Sequence, residues 1–202
     1  MSRFDKIHQE TTAVYERNAH GWDEHRPRSL TEKPWLDKIL DNMAPGSSVL
    51  DVGCGAGEPI SRYILERGFS LTGVDSSPKM IEICKAKFPG QSWIVADMRQ
   101  LDLGKQFAGI IAWDSFFHLN PDEQRQVLQR FLKHLDAQGA LLLTVGHESG
   151  EVLGTVEGED VYHSSLAPQE YEQILHSGGL KKVEVNLQDE SCGGRTVLLA
   201  RQ

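Results

Sequence analysis

The stretch Val49-Leu50-Asp51-Val52-Gly53-Cys54-Gly55-Ala56-Gly57 decides how this 202-residue chain is read. An apolar run closes on an acid, three glycines follow at alternate positions, and a helix-forming segment comes next. That order places a tight turn at the carboxyl edge of a buried strand, where open α/β sheets bind their ligands. Glycines there let backbone amides approach a ligand with no Cβ in the way, and they accept the positive φ that such turns need. An ordinary strand-to-helix loop is the alternative, and it accounts poorly for three glycines beside an acid.

Apolar strands alternate with amphipathic helices from Ser48 onward, the pattern of parallel strands joined by helical crossovers. Strands are predicted at 48–52, 70–74, 91–95, 107–113 and 140–145, with helices at about 57–66, 78–87 and 122–135. Pro78 suits a first helical turn, and Val127, Leu128, Phe131, Leu132 and Leu135 fall on one helical face. The tail changes character. A helix at 168–176 precedes strands at 180–188 and 196–200, whose short glycine-containing connection predicts an antiparallel hairpin. Segment 147–166, with alternating Val152, Leu153, Val156 and Val161, is too long for a simple connection and reads as a flap or small hairpin. The first 43 residues read as two helices, the first with Ile7, Thr11, Val14, Tyr15 and Asn18 on one face. A bend is predicted across 21–28, and Trp35, Leu36, Ile39, Leu40 and Met43 form the second apolar stripe.

The charges around the loop discriminate between ligands. A dinucleotide fingerprint spaces its glycines G-x-G-x-x-G and aims amides at a pyrophosphate. Here the spacing is G-x-G-x-G, followed by Glu58. Asp51 and Glu58 repel a pyrophosphate but attract the ammonium and sulfonium of S-adenosylmethionine. Asp75 ends the second strand, where a carboxylate can accept from both ribose hydroxyls or cap the helix that starts at Ser76-Ser77-Pro78. Asp97 and Met98 follow the third strand. Asp97 can accept from an adenine amino group while Met98 packs on the ring; a loop-initiating Asp is the other reading.

These residues are where a family becomes visible. Across about residues 48–146 the chain resembles class I S-adenosylmethionine-dependent methyltransferases. Its aromatic loop is similar to that of bacterial small-molecule members, a likeness that names no substrate. The resemblance implies that the loop from Asp51 to Gly57 lies against the methionine part of the cofactor, that Asp75 holds the ribose, and that Asp97-Met98 meets the adenine. It also implies a Rossmann-like, doubly wound α/β sheet of seven strands with the last strand antiparallel. The expected layout is a single domain over 1–202, with an N-terminal helical lid (1–43), a cofactor-binding core (48–146), a flap (147–166), and a C-terminal helix and antiparallel hairpin (167–202). The candidate cofactor residues are Asp51, Gly53, Cys54, Gly55, Gly57, Asp75, Ser76, Asp97, Met98 and Trp113.

The fourth strand ends Ala112-Trp113-Asp114-Ser115-Phe116-Phe117-His118-Leu119, and the family places the transferable methyl and the substrate near this edge. Methyl transfer from a sulfonium needs the acceptor held close, in line and away from water. Trp113, Phe116 and Phe117 can exclude water and face the cationic sulfur with their π systems, or simply fill the core. Asp114 and His118 are the catalytic candidates. His118 titrates in a range that suits proton removal, although a His beside a helix cap is often structural. His147, Tyr162 and His163 compete for that role or bind substrate. Tyr15, Trp22 and Arg26 resemble the lid of small-molecule members, and Arg26 or Arg28 can clamp a carboxylate or stand free on the surface.

Bulk properties narrow the function further. A formal charge of −8 and a pI near 5.5 disfavour long contact with a phosphate backbone, so a small-molecule partner is expected and nucleic acid is not. No Asp-Pro-Pro-Tyr or Asn-Pro-Pro-Tyr run follows the fourth strand, which disfavours amino methylation of nucleic acid. Cys54, Cys84 and Cys192 fit neither a disulfide scaffold nor a zinc site, and no metal cluster is indicated. The N-terminus lacks the apolar core of a secretory signal, and no membrane span is visible, so a cytoplasmic monomer or homodimer is expected. The reading from sequence is therefore an enzyme that methylates O, N or C of a small molecule and releases S-adenosylhomocysteine. The alternatives are a nicotinamide-dependent oxidoreductase on a related sheet and a non-catalytic S-adenosylmethionine-binding protein.

Overall fold

The structure is a computed structural model, and it describes residues 2–202. Seven strands form one sheet: β1 (Ser48–Val52), β2 (Ser70–Asp75), β3 (Ser92–Val95), β4 (Phe107–Ala112), β5 (Leu135–Val145), β8 (Lys182–Asp189) and β9 (Arg195–Arg201), in the order β3-β2-β1-β4-β5-β9-β8. The first five pair in parallel, and β9 runs antiparallel to both β5 and β8. The last strand is thus the antiparallel one, as expected. The chain winds one way from β1 to β3 and returns beside β1 at β4, so the crevice at the carboxyl ends of β1 and β4 is the topological switch point.

Helices cover both faces because each offers one apolar stripe. Between β4 and β5, α5 (Pro121–His134) starts at a capping box in which Asn120 and Glu123 exchange side-chain and backbone bonds. It buries Val127, Leu128 and Phe131 with Leu50, Ile110 and Leu143 of the sheet. Truncating Phe131 to Ala would cost about 3–5 kcal/mol through lost transfer energy and the cavity left behind. On the other face, α2 (Lys33–Leu40) seats Trp35, Leu36, Ile39 and Leu40 on Val49, Ile111 and Leu142, beside α3 (Ile60–Glu66) and α4 (Pro78–Lys87). The last helix, α6 (Pro168–Ser177), adds Tyr171 and Leu175 to the first face.

Two elements lie over the carboxyl edge of the sheet. The 147–166 segment folds as a separate hairpin of β6 (Gly150–Val156) and β7 (Glu159–Ser165). Against it packs α1 (Arg3–His25), with Val14, Tyr15 and Trp22 on Val156 and Val161. The Tyr162 N–H donates to Thr11 Oγ1 at 3.0 Å, and Glu159 receives Arg17 and Asn18. The expected bend at 21–28 is corrected: α1 continues through Gly21 and Trp22 to His25, and the chain turns only from Arg26. Glu157 of the hairpin packs over Gly21, and His25 bonds Glu157, so tertiary contacts hold this last turn helical.

Candidate functional site

The turn after β1 is held from both sides. The N–H groups of Gly53 and Cys54 donate to the Val74 carbonyl at 2.8 and 3.0 Å, drawing the loop onto the end of β2. Gly53 has φ +71°, and a Cβ there would fall inside Ser115, whose hydroxyl donates to the Val52 carbonyl at 2.7 Å. Asp75 completes the frame: Oδ2 accepts from Gly55 N and Oδ1 from Ser77 N, each at 2.9 Å. Burial raises its carboxyl pKa above the usual range, while the backbone donors oppose that rise.

Between this frame and α1 lies a cavity of about 1070 Å³, counted out to its mouth. Of the cofactor candidates, Asp51, Gly53, Cys54, Gly55, Asp75, Ser76, Asp97, Met98 and Trp113 line it. Tyr15, Trp22, Arg26, Asp114 and His118 do as well. Asp51 is buried beside Ser61, which donates to it at 2.6 Å, and burial pushes its carboxyl up to about 6 against that bond and the nearby Arg26 charge. His118 has a definite tautomer. Its Nδ1 faces the Tyr162 carbonyl at 2.8 Å and must donate, so Nε2 accepts from the Tyr15 hydroxyl at 2.9 Å. Burial holds the imidazole down at about 4, leaving it neutral near pH 7.

This geometry meets a matching family. A methyltransferase domain family covers residues 49–139, from the first residue of the loop segment to the start of β5's paired run. The chain carries a methyltransferase domain. It is 27% identical over 184 residues to an uncharacterized methyltransferase of Alkaliphilus oremlandii, covering 86% of this chain and 85% of that one. It is 25% identical over 152 residues to a dTDP-4-amino-2,3,4,6-tetradeoxy-D-glucose N,N-dimethyltransferase of Saccharopolyspora spinosa, covering 71% and 60%. The fold is shared with the 1,6-didemethyltoxoflavin-N1-methyltransferase of Burkholderia thailandensis, with a TM-score of 0.72, 18% identity, and 100% and 91% coverage.

The donors and acceptors of this methyltransferase fit S-adenosylmethionine. Arg26 reaches the cavity, stacks over Trp22 at 5.5 Å, and has a buried Nε with no hydrogen-bond partner. Its nearest carboxylate, Glu32, stands 3.8 Å away. An orphaned buried guanidinium donor close to buried Asp51 matches a ligand that ends in an α-carboxylate and an α-ammonium.

Several expectations are corrected by the methyltransferase's own pairings. Asp114 is no free catalytic carboxylate: Arg195 grips it through Nε at 2.8 Å and Nη2 at 2.8 Å. Arg195 was not read from sequence, since it lies 81 positions away in a hairpin with no motif. Asp97 has both oxygens on Arg99, which also bonds Glu123, so its carboxylate is largely occupied; Met98 still faces the cavity. Glu58 does not add bare negative charge, because Arg28, Arg62 and Lys87 all pair with it and hold its carboxyl at about 2 against burial. The same pairing removes Arg28 as a clamp. Gly57 is outside the cavity lining; a Cβ there would press on Phe88 and Cys84, so its bare backbone serves packing against α4. Cys54 lines the cavity beside Gly55, with its buried thiol near Cys84, and burial raises that thiol's pKa. Phe117, His147, Tyr162 and His163 also fall outside the lining. Phe117 and His163 meet edge to face at 4.6 Å, both against His118, and His147 is exposed beside Glu148. Tyr162 turns its hydroxyl to Glu151 and contributes its carbonyl to His118.

Proposed function

We propose that this methyltransferase acts on a small-molecule acceptor, whose nucleophilic oxygen, nitrogen or carbon is brought to the Tyr15 hydroxyl at the end of the cavity bounded by β4. The observation that carries the reading is the Tyr15–His118 hydrogen bond beside the glycine loop. Bound S-adenosylmethionine supplies an electrophilic methyl on a cationic sulfur. The chain's part is to hold, align and dry the site. Asp75 offers its remaining lone pairs to ribose hydroxyls, Met98 packs on the adenine, Asp51 meets the ammonium, and Arg26 the carboxylate. Trp113 and Trp22 keep water from the sulfur.

An acceptor that sheds a proton can pass it to Tyr15 Oη as the Tyr15 hydroxyl proton moves to His118 Nε2. An oxygen that has gained a methyl while keeping its proton is a strong acid, so even an imidazole that titrates at about 4 can take it. Burial raises the Tyr15 pKa, so the phenol enters the reaction protonated. We read α1 as a lid, since its Thr11, Tyr15 and Trp22 line the cavity and the β6–β7 hairpin packs against it. The aminosugar and toxoflavin enzymes named above favour a small acceptor, and the acidic charge of the chain agrees.

Labelled-methyl transfer into fractionated metabolites, followed by mass spectrometry, tests the reading. A labelled product of low mass is expected, with Tyr15→Phe lowering incorporation at least tenfold while S-adenosylhomocysteine affinity stays unchanged. Label found only in macromolecules, or full incorporation by Tyr15→Phe, overturns it. Asp75→Ala is expected to weaken S-adenosylhomocysteine binding by about 1–3 kcal/mol in calorimetry, because a buried charged acceptor is lost.

A further inference from the structure

The relay between Tyr15 and His118 leaves one strong interaction at the site without a role, the grip of Arg195 on Asp114. We propose that Arg195 is a positioning residue for the Tyr15–His118 pair, acting through Asp114 and the turn that carries Ser115 and His118. The proposal rests on the proton-relay reading above.

The backbone is the first support. Asp114 has φ +51°, a left-handed conformation uncommon in residues that carry a side chain, and two contacts hold it there. Its N–H donates to Thr144 Oγ1 at 2.7 Å, and its carboxylate is fixed by Arg195. The next residue, Ser115, ties the turn to Val52 and lies on Gly53; three residues further, His118 closes the 3-10 turn Phe116–His118. One side chain from β9 thereby sets a turn that serves both the glycine loop and the imidazole.

The second support is the use Arg195 makes of its fork. Nε reaches Oδ1 at 2.8 Å and Oδ2 at 3.1 Å, Nη2 reaches Oδ2 at 2.8 Å, and Nη1 donates to the Cys192 carbonyl at 2.8 Å. Lysine cannot span these acceptors with one ammonium. Arg195 lies outside the 49–139 segment matched by the family, on β9, which is separated from β4 by β5 alone.

The third is charge. His118 is faced by Tyr15 and His8 from α1, by Asp114 from its own turn and by His163 from β7. Asp114 pulls the imidazole up against burial even while it is held by Arg195. Without that partner its pull would be stronger and would draw a proton onto Nε2, and a protonated Nε2 cannot accept from Tyr15.

The test needs no acceptor. His118 is titrated by NMR in the wild type, Arg195→Gln, Arg195→Lys, Asp114→Asn and the Arg195→Gln/Asp114→Asn double variant, with S-adenosylhomocysteine affinity measured alongside. Arg195→Gln is expected to raise the His118 midpoint by about one pH unit, and adding Asp114→Asn to remove that rise. Arg195→Lys should give a smaller rise in the same direction. An unchanged midpoint in Arg195→Gln, or a rise that persists in the double variant, overturns the proposal. If Arg195→Gln fails to fold, Arg195→Lys decides by the same criterion. Failure of the relay itself reads differently, as full methyl incorporation by Tyr15→Phe with these titration differences intact.

Discussion

Ser115 seals Gly53: its hydroxyl donates to the Val52 carbonyl at 2.7 Å, and its Cβ occupies the space a side chain at Gly53 would need. Gly53→Ala therefore meets both a positive φ of 71° and a blocked volume. A loss of about 2–3 kcal/mol in unfolding free energy is expected, with a matching loss of cofactor affinity. Ser115→Gly in the same chain should recover the steric share but not the conformational one, which denaturant titration of the single and double variants can separate.

Arg26 points to an opposition between stability and binding. Its buried Nε has no partner in the free protein, and the Glu32 contact is long at 3.8 Å. Arg26→Met keeps the packing on Trp22 and removes the orphaned donor, so thermal stability should hold or rise. Binding of S-adenosylhomocysteine should fall about tenfold or more with the loss of a charge-assisted bond. Affinity for 5′-methylthioadenosine, which has no amino-acid tail, should stay level; an equal drop for both ligands would place Arg26 elsewhere in the site.

His118 and Asp51 oppose each other in acid. Burial lowers the folded His118 from 6.5 to about 4, so its contribution is complete above pH 6.5 and is lost as pH falls toward 4. Burial raises the folded Asp51 from 3.8 to about 6, so this carboxylate costs stability at neutral pH and the cost lifts over the same fall. Each effect is on the order of 3 kcal/mol. Urea midpoints should show Asp51→Asn losing stability relative to wild type as pH drops from 6 to 4. His118→Asn should gain relative to wild type between pH 6.5 and 4. Parallel profiles would mean that neither group titrates as described.

The legible parts of this molecule are local in sequence. The glycine turn and the run of parallel strands around it follow from patterns a few residues long, and the structure has both. Partners across the chain carry no such pattern. Asp114 was visible as a polar residue at the right edge, but Arg195 stands 81 positions away and decides its chemistry. Gly21-Trp22-Asp23-Glu24-His25 has the composition of a bend, yet Glu157 packing over Gly21 keeps it helical. Asp97 and Arg99 are the instructive miss, because two opposite charges two residues apart in a turn signal a local pair. Tyr15 and His118 were each nominated from sequence; their contact depends on how α1 lies against the sheet.

The docking of α1 on β7 also sets the order in which the chain can be completed. Arg3 bonds Asp160 across 157 positions, Arg17 bonds Glu159 across 142, and His25 bonds Glu157 across 132. On the ribosome the helix is made first and must wait for nearly the whole sheet before its partners emerge. Contacts so distant in sequence bear a large loop-closure entropy. The cavity consequently cannot take shape until the hairpin has emerged, and ligand capture becomes a late step in biosynthesis.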